Sequence, residues 1–230
     1  MDFDIYRKQD IEEKLKKAKL PLITLMVTGV TGAGKSTTLN AIFHRKVTEI
    51  GSGVNPETLR LSEYRLNDVV RVWDTPGLGD GVINDQRHKK KIVYLLNSKY
   101  SDKGHTYGLV DMVLVLIEGS NRDMGTTYTL LNEVIAPNIQ GKRILVAINQ
   151  ADVAMKGRHW NNQTKLPDAT LIAFLEEQAS SIQRRVKEAT GIIIPKPVYY
   201  SAEYGYNLKV LFDFIVDHIP DKRRRMNRLP

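Results

Sequence analysis

Three short stretches of the chain carry residue types that could do chemistry together. The first is Gly29-Val-Thr-Gly-Ala-Gly-Lys-Ser36, which fits G-x-x-x-x-G-K-[ST] without a mismatch. Glycines in such a loop let backbone N–H groups curl around a phosphate without Cβ clashes. A helix that starts at the end of the loop turns its positive pole toward the same anion. The backbone of Thr31, Gly32, Ala33 and Gly34, followed by Lys35, Ser36 and Thr37, is therefore expected to cradle phosphates. Lys35 should reach the β- and γ-phosphates, and the Ser36 hydroxyl should ligate Mg²⁺. The competing explanation is a chance glycine loop, which would have to satisfy every position of the pattern.

The second stretch is Asp74-Thr-Pro-Gly77, about forty residues further on. A carboxylate at the end of an apolar strand can hold the Mg²⁺ shell, directly or through water. The Gly77 N–H can hydrogen-bond a γ-phosphate. Gly79 and Gly81 follow, so the next loop is expected to order only around that phosphate. Pro-Gly alone would be an ordinary turn; its distance from the phosphate loop gives it meaning.

The third stretch is Asn149-Gln-Ala-Asp152. Guanine presents an N1–H and an N2 amino group side by side, and a carboxylate can accept both, which adenine cannot match. Asp152 is thus the base-reading candidate. A buried carboxylate left unpaired by the wrong base could discriminate by about 10⁴ or more. Asn149 would tie this loop to the phosphate loop and touch the base edge, with Gln150 beside it. Ser201-Ala202-Glu203 lies where a backbone N–H, that of Ala202, can meet guanine O6.

These stretches need rigid elements behind them. Residues 22–28 read as a buried strand before the phosphate loop, and a helix should run to about residue 44. Residues 45–58 lack periodicity and read as a mobile loop. Residues 59–66 and 69–73 alternate around Asn67-Asp68 and predict an antiparallel hairpin. A polar helix is expected over 84–99, a loop over 100–109, and a central strand over 111–117. A helix over 126–135 stops at Pro137, and a strand over 142–148 leads to Asn149. Residues 153–167 form a long connector in which His159 reads as an exposed loop residue. A helix from Pro167-Asp168 ends at Gly191, a short strand covers 197–200, and an amphipathic helix covers 207–219. Strands alternating with helices predict a three-layer α/β fold with a mostly parallel sheet and one antiparallel edge.

The domain division expected is an N-terminal helical extension over 1–21, a nucleotide-binding domain over 22–219, and a basic C-terminal tail over 220–230. The extension has an apolar stripe of Phe3, Ile11, Leu15 and Ala18, which must dock on the domain or on a partner. The chain has 230 residues, no cysteine and a net charge of +8. Missing cysteines exclude disulfides and thiolate metal sites. No apolar run approaches the roughly 18 residues of a spanning helix, and the N-terminus lacks a signal-peptide pattern. A soluble, cytoplasmic protein is expected, with peripheral membrane contact as an option. Basic clusters at Lys14, Lys16, Lys17 and Lys19, at Lys89–Lys91, and at Lys222–Arg225 could touch anionic lipid or RNA. The plainer explanation is solvated helix faces and a frayed tail. No DNA contact is expected.

With GVTGAGKS, a loop Thr, DTPG, NQAD and SAE in this order, residues 22–219 resemble the P-loop GTPases. DTPG is similar to the Era-like group of the translation-factor-related class. NQAD is similar to small bacterial GTP-binding proteins with an NQAD or TQAD base loop. The phosphate loop also resembles those of septins and immunity-associated GTPases. The resemblance implies the small G-protein fold, binding of GTP and GDP with Mg²⁺, and hydrolysis of GTP to GDP. It implies Thr58, with Thr48 as fallback, as the switch threonine that meets metal and phosphate. Lys35, Thr58 and Gly77 would serve the reaction, and Ser36, Thr58 and Asp74 the metal.

Two departures matter. Gln150 replaces the lysine of N-K-x-D, and Leu78 stands where Ras-like proteins carry the Gln that orients water. Gly32 replaces the Asn of potassium-activated relatives. Slow intrinsic turnover is therefore expected, with water positioned by a partner, a second protomer or a backbone group. The alternatives are a nucleotide-gated assembly module dimerising across the nucleotide face, and an RNA- or ribosome-associated GTPase. An ATP-specific kinase is disfavoured by Asp152.

Overall fold

The computed structural model describes residues 2–3, 5–43, 48–49, 62–79, 81–120 and 124–226. The apolar runs become the centre of a sheet. β1 (Ile23–Gly29) is buried at every position, as is β8 (Ile144–Asn149), and β7 (Met112–Glu118) is buried until its last residue. Continuous burial of this kind suits parallel strands covered on both faces. β1 pairs in parallel with β4 (Val70–Asp74) and β7, β7 with β8, and β8 with β11 (Val198–Tyr199). β3 (Ser62–Asn67) is antiparallel to β4, and β2 (Thr48–Glu49) antiparallel to β3. The sheet order is β11-β8-β7-β1-β4-β3-β2. The expected hairpin at Asn67-Asp68 is present, and the Asn67 Oδ1 accepts the Val69 and Val70 N–H groups at 3.0 and 3.1 Å.

Helices cover both faces. On one lie α3 (Val82–Asn97), α5 (Ala169–Thr190), and α4 (Gly125–Thr129), which runs on as π-helix over Leu130–Ile135. On the other lie α1 (Lys8–Ala18), α2 (Lys35–Phe43) and α6 (Leu208–Asp217). α5 has the ends its sequence announces. Asp168 accepts the Thr170 and Leu171 N–H groups, and Gly191 closes the helix in left-handed conformation at φ 71°.

Several expectations change. Residues 100–109 are not a loop: β5 (Lys99–Asp102) and β6 (His105–Gly108) form a hairpin. Its turn uses Lys103 and Gly104 at φ 47° and 78°, the left-handed pair that matches strand twist. The connector 153–167 holds a second small hairpin, β9 (Trp160–Asn161) with β10 (Leu166–Pro167). Part of the region read as a mobile loop is strand β2; the rest of 44–61 lies outside the described residues.

The two ends pack on the domain. Phe3 stacks on Phe212 with ring centroids 4.8 Å apart, and Ile11, Leu15 and Ala18 are buried. Arg7 reaches Asp213 at 3.2 Å and Asp217 at 2.6 Å on α6. The tail is not frayed as far as Met226, whose N–H donates to the Thr106 carbonyl at 3.0 Å. Arg224 is 3% exposed, and its guanidinium donates to the carbonyls of Leu96 and Asn138. No described helix is long and apolar enough to cross a membrane.

Candidate functional site

The predicted residues converge where β1, β4 and β8 end, with the last strand β11 alongside. Parallel strands force this: their C-terminal ends point the same way, so the loops that follow share one edge. The phosphate loop bends at Gly32 and Gly34, with φ of 87° and 78° that only glycine adopts without strain. Lys35 opens α2, and its Nζ donates to the Val30 carbonyl at 3.2 Å, curling back over the loop. Thr31, Gly32, Ser36 and Thr37 are exposed, while Ala33 is buried beneath.

The loop after β4 is laid directly on the phosphate loop. The Thr31 N–H donates to the Leu78 carbonyl at 2.7 Å, and the Leu78 N–H to the Gly29 carbonyl at 3.3 Å. A Cβ at Gly77 would lie 2.7 Å from the Thr31 nitrogen and 2.8 Å from the Lys35 Nζ. Glycine is thus required there for the two loops to touch. His88 on α3 donates from Nδ1 to the Gly77 carbonyl at 2.7 Å, a contact that none of the motifs announces. The Leu78 side chain is 0% exposed and sits in the core with Trp73 and Ile92.

Asp74 ends β4 beside the phosphate loop, in register with Val27. Burial pushes its carboxyl above the ordinary carboxylate range, and the Lys35 ammonium pulls it back. Its Oδ1 is buried with no hydrogen-bond partner among the described residues. A hard cation prefers such an oxygen donor, so the chemistry of Asp74 and of the Ser36 hydroxyl fits Mg²⁺. Thr58 lies outside the described residues; Thr48, the fallback, lies in β2.

The base loop is tied to both of its neighbours by one side chain. Asn149 is 2% exposed; its Nδ2 donates to the Ala33 carbonyl and its Oδ1 accepts the Ala202 N–H, both at 3.0 Å. A Cβ at Gly34 would collide with the Asn149 amide. Gln150, at φ 60°, donates from Nε2 to the Gly32 carbonyl at 2.8 Å. The Asp152 Oδ1 is buried and has no hydrogen-bond partner among the described residues. Ser201 is fully buried, and its N–H donates to the Tyr206 carbonyl at 3.0 Å.

Outside the motifs, an aromatic group joins the β9–β10 hairpin to the last loop. Trp160 lies 5.6 Å from the rings of both Tyr204 and Tyr206, and the Lys165 ammonium sits 4.4 Å over Tyr204. His159 pairs with Asp168 at 2.8 Å, away from the phosphate loop's own contacts.

A phosphate loop on the first strand, a carboxylate loop on its parallel neighbour and a base loop on a third strand define a P-loop protein of the small G-domain fold. A profile of the 50S ribosome-binding GTPases matches residues 24–150, and the chain belongs to that family. Among curated proteins it is 42% identical over 175 residues to translocase of chloroplast 125 of Physcomitrium patens, covering 73% of this chain and 14% of that protein. The chain therefore spans a small fraction of the length of such relatives. It is 26% identical over 111 residues to the GTP-binding protein EngB of Ligilactobacillus salivarius, covering 48% of this chain and 55% of EngB. Toc33 of Arabidopsis thaliana, solved with GDP and Mg²⁺, superposes with a TM-score of 0.61 at 16% identity, covering 96% of this chain and 95% of Toc33.

Proposed function

We propose that this chain binds GTP and GDP, hydrolyses GTP to GDP and phosphate with Mg²⁺, and changes conformation with the nucleotide. The observation that carries the reading is the Asn149 bridge from the phosphate loop to Ala202, with the Asp152 Oδ1 left unpartnered beside it. In this reading the N–H groups of Thr31 to Thr37 hold the phosphates, and Lys35 neutralises the charge that develops on them. The Gly77 N–H reads the γ-phosphate. Asn149 positions the base loop, and Asp152 accepts guanine N1–H and N2–H; the Ala202 N–H, expected at O6, instead donates to the Asn149 Oδ1, so that segment serves the base side through Asn149. Ser36, Asp74 and Thr58 would hold Mg²⁺, which when bound neutralises charge on the phosphate oxygens. The nucleotide-binding unit is residues 22–219, flanked by 1–21 and 220–230. The NQAD loop supports a place near the Era-like group.

The test is Asp152→Asn. An amide there offers a donor where guanine also donates, so GTP affinity should fall and xanthosine triphosphate affinity should rise. Unchanged GTP affinity would remove the base assignment.

A second reading, an assembly module with hydrolysis completed across a homodimer, is favoured by the switch segment. Leu78 is turned into the core, so its side chain cannot orient water. Val82 and Ile83 just beyond it are 76% and 71% exposed, which suits a partner surface. Specific activity that rises with protein concentration would support this reading; flat, slow activity would oppose it. A weaker contact with an anionic surface is supported by the exposed Lys17, Lys19, Lys103, Lys222 and Arg225, which gather where α1 ends and the tail pairs with β6. Such binding should collapse with salt. We assign the protein to the cytoplasm on this reading.

A further inference from the structure

Tyr200 belongs to none of the motifs, yet it contacts both the base loop, at Ala151, and the helix behind the phosphate loop, at Thr38. Its ring is 0% exposed, just past β11 and immediately before Ser201-Ala202. Its N–H donates to the Ile148 carbonyl at 2.9 Å, and its own carbonyl accepts the Ala151 N–H at 3.0 Å. The backbone of Tyr200 is therefore part of the guanine side. Its hydroxyl lies on the phosphate side, 2.7 Å from the Thr38 Oγ1, on a residue that is 1% exposed.

The proton order in this contact is fixed. The Thr38 hydroxyl donates to the Gly34 carbonyl at 2.8 Å, and a carbonyl can only accept. The Tyr200 hydroxyl must then donate to Thr38. Gly34 also receives the Thr38 N–H at 2.9 Å, so its carbonyl is held from two directions. The relay runs from Tyr200 through Thr38 to Gly34, the residue whose φ of 78° shapes the phosphate loop. The Tyr200–Thr38 link is buried, which strengthens it and makes its loss costly.

We propose that Tyr200 is a positioning residue that joins the guanine and phosphate subsites into one rigid unit. This rests on the GTP-binding reading above. A nucleotide binds more tightly than its fragments because one event fills both subsites, provided their separation is fixed in advance. Tyr200 supplies part of that fixed separation together with Asn149. Its effect should therefore appear with a ligand that spans both subsites and vanish with ligands that occupy one.

The experiment measures GDP, guanosine and pyrophosphate affinities, each with Mg²⁺, on the full chain and on Tyr200→Phe. The phenyl ring keeps the packing and removes only the hydroxyl. Loss of one buried neutral hydrogen bond corresponds to about five- to tenfold in affinity. GDP affinity should fall by that factor, while guanosine and pyrophosphate change less than about twofold. Thr38→Val should copy the effect, Thr38→Ser should restore it, and Tyr200→Phe with Thr38→Val should be no worse than the single changes. Unchanged GDP affinity in Tyr200→Phe overturns the proposal, as does an equal loss for all three ligands or additive losses in the double variant. Should Tyr200→Phe fail to fold, the contrast between Thr38→Val and Thr38→Ser decides alone. Failure of the unsubstituted chain to bind GDP would instead refute the GTP-binding reading.

Discussion

Asn149→Ala is the perturbation with the largest consequence that can be worked from the structure. The substitution removes two hydrogen bonds, both at 3.0 Å, from a side chain that is 2% exposed. It leaves the Ala33 carbonyl and the Ala202 N–H without their partner. A buried polar group stripped of its partner costs about 1–3 kcal/mol, so the two together cost about 2–6 kcal/mol. That free energy must appear in one of two places. If the loops keep their positions, the free protein carries the cost, and urea unfolding shifts to lower midpoint with unchanged slope. If the loops relax outward, the cost is deferred to binding, where each 1.4 kcal/mol is a tenfold loss of GDP affinity. The sum of the two losses is predicted, whichever way it divides. Unfolding curves without nucleotide and GDP titrations on the same sample measure both. Asn149→Asp is the companion: it keeps an acceptor for the Ala202 N–H but sets a carboxylate oxygen against the Ala33 carbonyl, so the phosphate loop alone should be disturbed. A summed loss below about 1 kcal/mol for Asn149→Ala would refute the claim that this side chain ties the loops.

The other predictions concern the switch segment and the opposite edge of the sheet. Leu78→Gln should lower the melting temperature by burying an amide in the core, at about 2–4 kcal/mol, without raising GTP turnover; faster turnover would show that the side chain reaches the nucleotide after all. Gly77→Ala should crowd the Thr31 nitrogen and Lys35, and a displacement of that kind can lower turnover about 10²-fold; turnover near that of the parent would argue against close apposition of the two loops. Asp111, which accepts the Thr24 N–H at 2.9 Å, is pushed up by burial to about 6, against the pull of Thr24 and Arg143. Its folded value exceeds its unfolded value of 3.8, so the stability it contributes is complete below about pH 4 and lost as pH rises through about 6. Two units correspond to about 3 kcal/mol. Asp111→Asn should therefore gain on the parent by about that amount between pH 4 and 7 in unfolding measurements; parallel pH curves would show that the group is not perturbed.

Much of the site was legible because its chemistry demands particular residues. Glycine at 32 and 34, lysine at 35 and an acid at 74 and 152 are the residue types that the proposed phosphate loop, metal shell and guanine edge would require. The strands that carry them were legible for a different reason: they are buried on both faces and must be apolar throughout. Elements with neither constraint were missed. The β5–β6 hairpin is half-exposed, and its turn uses Lys103 where Asn would have signalled the left-handed conformation. Arg224 lies in a run of cations that reads as solvated. Only its contacts with Leu96 and Asn138, more than 80 residues away in sequence, explain why it is buried. Burial lowers its guanidinium to about 10, with Arg143 adding repulsion. Tyr200 ends the expected strand 197–200, and nothing local in the sequence marks a hydroxyl that pairs across 162 positions.

The order in which the strands enter the sheet has a consequence for how the protein is made. The first strand is the central one, and on the side that carries the base loop the chain adds β7, β8 and β11 outward in turn. The phosphate loop is complete near residue 36, but its ties to Asn149 and Tyr200 span 116 and 162 residues. During synthesis, at about 5–20 residues per second, roughly six to thirty seconds separate the phosphate loop from the partners that fix it. A nascent chain in that interval holds lone phosphate-binding glycines with no means of choosing a base. On the GTP-binding reading, selectivity for guanine is thus acquired only when pairing of β11 with β8 locks the loop geometry, after which nucleotide can stabilise the fold by mass action.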